Sequence, residues 1–158
     1  ASELPFVLHV VGQQFRNRPA IFAELHLLLK ENRPEALGRW GFISEANDYH
    51  SLLRSTDVVL STATHDFQGL AVLEAVNSGC VPLVPDRLAY PEWFSDQFRY
   101  AGSLSDTSKA LEQEANCATE TLARLIGNGL KPPSIDQLGW HKLRPQYQKL
   151  IQRVGRQC

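Results

Sequence analysis

Residues 57–86 read DVVLSTATHDFQGLAVLEAVNSGCVPLVPD, and the fold follows from this stretch. Val58, Val59 and Leu60 form a short apolar run that stops at Ser61-Thr62, as a buried strand does. Val81-Pro82-Leu83-Val84 reads as the next strand, with Pro82 near its start or on an edge. Between them, Gly69 to Ser78 is apolar nearly all round and predicts a helix buried on most sides, with Gly79 as its terminator. Strand, crossover helix and strand in so few residues make a right-handed βαβ unit, hence an α/β protein with a parallel sheet.

Glu74 does not belong in such a helix on packing grounds. It sits between Leu73 and Ala75, and a carboxylate among apolar neighbours is costly unless something hydrogen-bonds to it. Asp66 lies eight residues earlier, in the turn after the first strand. At about 1.5 Å per residue the two acids stand roughly 12 Å apart along the helix direction. That separation suits the two ends of an elongated polar ligand. The turn also presents helix N-terminal amides at the carboxyl edge of the sheet, where anions and nucleotides bind in such folds. His65, beside Asp66, reads either as a turn residue with a satisfied ring or as a hydrogen-bonding partner for a sugar hydroxyl.

The same residues carry a resemblance. Asp66-Phe67-Gln68-Gly69-Leu70-Ala71-Val72-Leu73-Glu74-Ala75 resembles the acidic signature of retaining GT-B glycosyltransferases of family 4: an acid, seven residues, then Glu. His65-Asp66-Phe67, Leu73-Glu74-Ala75 and Gly79-Cys80 are closer to a glycosyltransferase-like branch that contains the tRNA-queuosine mannosyltransferases. The resemblance implies that Asp66 and His65 face the donor sugar as the catalytic pair. It implies that Glu74 binds the nucleotide ribose and that Gly69 and Leu70 offer amides to the diphosphate. The usual first acid is Glu; Asp66 is one methylene shorter. The fold implied is a single Rossmann-like, doubly wound parallel sheet, the C-terminal half of a GT-B enzyme, with a C-terminal closing helix. The donor implied is a nucleoside-diphosphate sugar, GDP-mannose in the closer branch, and the acceptor there is queuosine in tRNA. No metal cofactor is expected, and the sequence contains no DxD motif.

Composition sets the bounds. The chain has 158 residues, is 43% hydrophobic and 21% charged, and carries a net charge of −1. That is ordinary for a globular domain and gives no electrostatic footprint for nucleic acid. Cys80, Cys117 and Cys158 are an odd number without CxxC spacing, read as reduced thiols of a cytoplasmic protein. No apolar run approaches the roughly 20 residues of a membrane span. The absence of any Met and the start at Ala1, directly before a strand-like run, predict a piece of a longer two-domain protein. Its N-terminal acceptor domain and its first βα unit, which carries a basic diphosphate clamp in the resembling family, then precede Ala1.

Along the chain, Phe6–Val11 is an apolar strand ended by Gly12. Gly12 is either a plain turn or a point of close backbone approach to a diphosphate. Arg16 and Arg18 read as solvated loop residues, with phosphate contact as the alternative. Pro19 opens a helix whose core face is Ile21, Phe22, Leu25, Leu28 and Leu29. Trp40–Ile43 reads as a short strand followed by Ser44, a turn or cap residue that the resemblance places near the nucleotide base. Asn47-Asp48 caps a helix to Arg54. Downstream, Tyr90 and Trp93 form either a pocket wall or plain packing, and Phe98–Tyr100 a last strand. Asp106 caps a helix over residues 107–114, and a separate helix covers 119–126. Residues 139–154 form a final helix with Trp140, Leu143, Tyr147, Leu150 and Ile151 on one face and Lys142, Arg144, Lys149, Arg153 and Arg156 on another.

The resulting expectation is the donor-binding domain of a retaining glycosyltransferase, inactive on its own, whose full-length form engages its N-terminal domain and tRNA. The alternative is a non-catalytic nucleotide-binding module on the same fold.

Overall fold

A computed structural model describes residues 5–12, 19–105 and 107–155. Arg16, Arg18, Asp106, Arg156 and Cys158 lie outside the described residues. The fold is α/β, with parallel strands flanked by helices and a helix at the C-terminal end, consistent with a Rossmann-like architecture. The sequence predicts one continuous sheet. The ladders fall in two, of two and three strands, and the chain divides into two compact units, Ala1–Tyr49 and His50–Cys158.

In the first unit, β1 (Leu8–Val11) and β2 (Leu37–Gly41) pair in parallel, on either side of α1 (Ala20–Asn32) in the chain. The register slips between Leu8 and Val10, and there His9 Nδ1 accepts the Arg39 amide at 2.9 Å. The second strand thus begins three residues before the apolar cluster at Trp40–Ile43. Of the five apolar residues expected to form the core face of α1, only Leu29 is buried, while Ile21, Phe22 and Leu28 are exposed. Two strands of four and five residues offer too narrow a face to cover a helix about 20 Å long.

In the second unit the sheet order is β3 (Val58–Leu60), β4 (Val81–Pro85), β5 (Arg99–Tyr100), all parallel. All five residues of β4 are buried, so this strand is the centre of the core. Around it pack Val72 and Val76 of α3 (Leu70–Asn77), Tyr90, Phe94, Phe98, Tyr100, and Leu125 of α5 (Ser108–Gly127). Pro82 lies second in this central strand, not on an edge. Val81 N donates to Asp57 O and Ser61 N to Leu83 O, so alternate residues serve β3. Position 82 therefore faces the other side, where β5 begins only opposite Val84. No ladder bond is lost to the missing N–H.

Two helices differ from expectation. Asn47 and Asp48 lie inside α2 (Ala46–Arg54), whose first amides, from Asp48 and Tyr49, donate to Glu45 O. Residues 108–127 form one helix of 20 residues, not two, capped by Thr107, whose hydroxyl accepts the Ala110 amide. No Gly or Pro interrupts residues 114–119, so nothing local stops the first turns from propagating. The short α4 (Tyr90–Trp93) follows β4, and α6 (Trp140–Gly155) ends the described chain.

Candidate functional site

The carboxyl ends of β3 and β4 carry two loops, 61–69 and 86–89, and buried side chains hold both. Ser61 continues the β3 ladder, and its carbonyl accepts the Tyr100 hydroxyl at 2.7 Å. Burial, together with the charge of Glu114, pushes the Tyr100 phenol up to about 12. The Ser61 hydroxyl accepts the Ala63 amide at 3.2 Å and stands 2.7 Å from the Tyr90 hydroxyl. Tyr90 in turn donates to Asp66 Oδ2 at 3.1 Å. A carboxylate only accepts, so the single phenolic proton points at Asp66 and the Ser61 proton points at Tyr90. Burial, with a smaller push from the Asp66 charge, raises the Tyr90 phenol and keeps that proton in place.

The other oxygen of Asp66, Oδ1, accepts the Gly69 amide at 2.8 Å and the Gln68 amide at 3.3 Å. Its carboxylate therefore closes the turn that starts α3. Gly69 occupies the N-cap with φ +67°, and a Cβ there would lie 2.8 Å from Tyr90 Cε1. Both the left-handed backbone and the close approach of a fully buried ring require glycine. His65 and Leu70 are exposed, and Phe67 is entirely so.

Arg87 ties the two loops together. Its Nε donates to Ala63 O, Nη2 to Thr62 O and Nη1 to Ser103 O, while Nη1 and Nη2 also grip Glu114 at 3.0 and 2.8 Å. All five guanidinium protons are engaged. The pair is nearly buried, and hydrogen bonds from Arg87 hold the Glu114 carboxyl below its usual range. Leu88, the next residue, has φ +61°, an uncommon backbone state for a residue with a branched side chain.

Glu74 is placed differently from the expectation of a helix buried on most sides. Val72, Ala75 and Val76 of α3 are buried, but Leu70, Ala71 and Glu74 face outward, and the Glu74 side chain is 45% exposed. Helix apolarity reports composition; coverage depends on which elements reach each face. The partner of Glu74 is His50 of α2, whose Nε2 lies 3.1 Å from Oε1. Sequence reasoning missed this histidine, and no local pattern pointed to it. Tyr90, weighed as pocket wall or packing, is buried in the core. Trp93 is half-buried and its indole nitrogen has no hydrogen-bond partner among the described residues.

Gly12 and Ser44 belong to the first unit. Gly12 N donates to Gly41 O at 3.3 Å, drawing the ends of β1 and β2 together. Ser44 is exposed and lines a concavity of about 310 Å³ with Arg39, Trp40, Gly41, Phe42 and Ile43. Among the described residues, no helix is long and apolar enough to cross a membrane.

The relationship of this α/β chain to a protein of known activity is glycosyltransferase-like. Over 112 residues, 71% of this chain, the sequence is 31% identical to tRNA-queuosine alpha-mannosyltransferase of Drosophila melanogaster. The chain spans 27% of that protein's length. No family model matches the chain.

Proposed function

We propose that the chain is the donor-binding part of a retaining glycosyltransferase that takes its sugar from a nucleoside diphosphate. In this reading Glu74 accepts hydrogen bonds from the ribose hydroxyls. The Leu70 amide at the start of α3 meets the diphosphate, Gly69 lets the chain approach it while its own amide serves Asp66, and His65 and Asp66 address the sugar. The bond from the anomeric carbon to the diphosphate breaks and the bond to the acceptor oxygen forms on the same face, the departing diphosphate taking the acceptor's proton, with no protein nucleophile and no metal. GDP-mannose is the proposed donor, and queuosine in tRNA the proposed acceptor, bound mainly by an N-terminal domain of the full-length protein; the 158-residue chain alone then transfers nothing.

One observation carries the reading. Glu74 is a charged, accessible acceptor on the outward face of a helix otherwise built from Leu, Ala, Val and Asn, and that helix begins at the turn closed by Asp66. Calorimetric titration with GDP, UDP and ADP, with and without Mg²⁺, tests it. Metal-independent binding of one diphosphate, abolished in Glu74→Gln with the fold retained, supports the reading; unchanged binding in that variant sinks the ribose role.

A second reading, a non-catalytic nucleotide-binding module, is favoured by the three protein hydrogen bonds that already engage Asp66. Sugar transfer by the full-length protein, lost in Asp66→Asn, decides for the enzyme.

A further inference from the structure

We propose that His50 is a positioning residue for Glu74, and that the pair makes the site discriminate ribonucleotides from nucleotides lacking ribose hydroxyls. The proposal rests on the nucleotide-binding reading of Glu74.

The two side chains come from different helices, 24 residues apart, and meet at 3.1 Å between His50 Nε2 and Glu74 Oε1. A carboxylate can only accept, so the imidazole donates from Nε2. The contact is not a loose pairing of surface side chains, because both helices are anchored. On α2, Leu52 and Leu53 are buried, and Leu53 lies one turn after His50. The buried Cys80 thiol, just before β4, donates to Leu53 O at 3.2 Å and to Thr56 O at 3.3 Å. Asp57 O then accepts the first amide of β4. On α3, Ala75 and Val76 are buried immediately after Glu74. The Ser78 amide and hydroxyl both donate to Glu74 O. The distance between the two backbones is therefore set by the core.

Chemistry gives the pair its role. A vicinal diol offers two hydroxyl donors, and a carboxylate answers with two oxygens only if its plane is correctly turned. A glutamate on an outward helix face otherwise samples several rotamers, and ordering it on binding weakens affinity. A hydrogen bond from a fixed imidazole to one oxygen sets that plane beforehand. Both side chains remain about half exposed, 44% for His50 and 45% for Glu74, so the carboxylate stays reachable.

The test compares the wild-type chain with His50→Ala, His50→Gln and Glu74→Gln. The ligand is whichever of GDP, UDP and ADP the wild type binds tightest, set against its 2′,3′-dideoxy counterpart. Removing the imidazole is expected to weaken the ribonucleotide by about 3- to 10-fold, the scale of ordering one side chain, and to leave the dideoxy ligand unchanged. His50→Gln, which keeps an N–H donor, recovers part of the loss. Thermal unfolding confirms that each variant is folded. Equal weakening of both ligands, or no weakening of the ribonucleotide while Glu74→Gln still abolishes preference for it, overturns the role of His50 and leaves that of Glu74 standing. No effect of Glu74→Gln overturns the underlying reading, as does failure of the wild type to bind any of the three.

Discussion

The Tyr90 hydroxyl donates to Asp66 across 3.1 Å, from the first turn of α4 to the loop after β3. This bond makes a core tyrosine responsible for the shape of the loop that starts α3. Replacing Tyr90 with Phe keeps the ring against Gly69 but leaves the buried Ser61 hydroxyl and Asp66 Oδ2 each short of a partner. Loss of about 1–3 kcal/mol is expected, the cost of an unsatisfied buried polar group. Urea unfolding measures it, and a change below about 0.5 kcal/mol would show that water replaces the phenol without penalty.

Gly69→Ala meets two obstacles at once. A left-handed residue with a Cβ costs on the order of 1 kcal/mol, and the methyl would lie 2.8 Å from the Tyr90 ring, which has no room to retreat. Destabilisation of roughly 2–4 kcal/mol is expected in the same unfolding assay. In combination with Tyr90→Ala the two losses should add to less than their sum, because the clash is with that ring.

Arg87 and Glu114 form the most enclosed ion pair among the described residues. Breaking it with Arg87→Ala leaves a poorly hydrated carboxylate and frees the carbonyls of Thr62 and Ala63; loss of about 3–5 kcal/mol is expected. The pH dependence has a defined sign. The folded Glu114 pKa is depressed below the ordinary 4.5, with hydrogen bonds from Arg87 as the main cause. Its contribution is therefore complete above pH 4.5 and is lost as pH falls through the lower folded value. Glu114→Gln should flatten that part of the acid limb in stability-against-pH measurements; an unchanged limb would place the titration elsewhere.

Cys80 is fully buried, its thiol donates to two carbonyls, and burial raises its pKa. It should resist iodoacetamide in the native protein and react at a rate set by unfolding. Peptide mapping after brief alkylation checks this, and modification in the folded chain on the timescale of an exposed thiol would contradict the placement.

How far the sequence could be read depended on distance along the chain. Val58–Leu60, the helix to Asn77 and β4 were legible because β-branched runs, turn residues and a terminal glycine are local signals. Pro82 shows what such rules leave open: it reads as near a strand's start or on an edge, and it stands second in the central strand, harmless there because β5 starts late. Residues 108–127 form one helix where two are expected, because residues 114–119 contain no Gly or Pro to stop a growing helix. The candidate site divides in the same way. Asp66 in the turn and Glu74 in the apolar helix stand out in the sequence, whereas their partners Tyr90 and His50, and the links made by Arg87, carry no local signal.

The sequence by itself determined the βαβ unit, its parallel pairing and the acids around the central helix, since each follows from the periodicity of a dozen neighbouring residues. Only the tertiary structure decided that Glu74 faces outward with His50 beside it, that Asp66 is held by Tyr90, and that Arg87 joins two loops. Those contacts link residues 24 or 25 apart. Hydrogen bonds at such separations depend on where packed helices and strands place their side chains. No local pattern encodes that placement, because many sequences with the same apolar spacing would fill the core equally well.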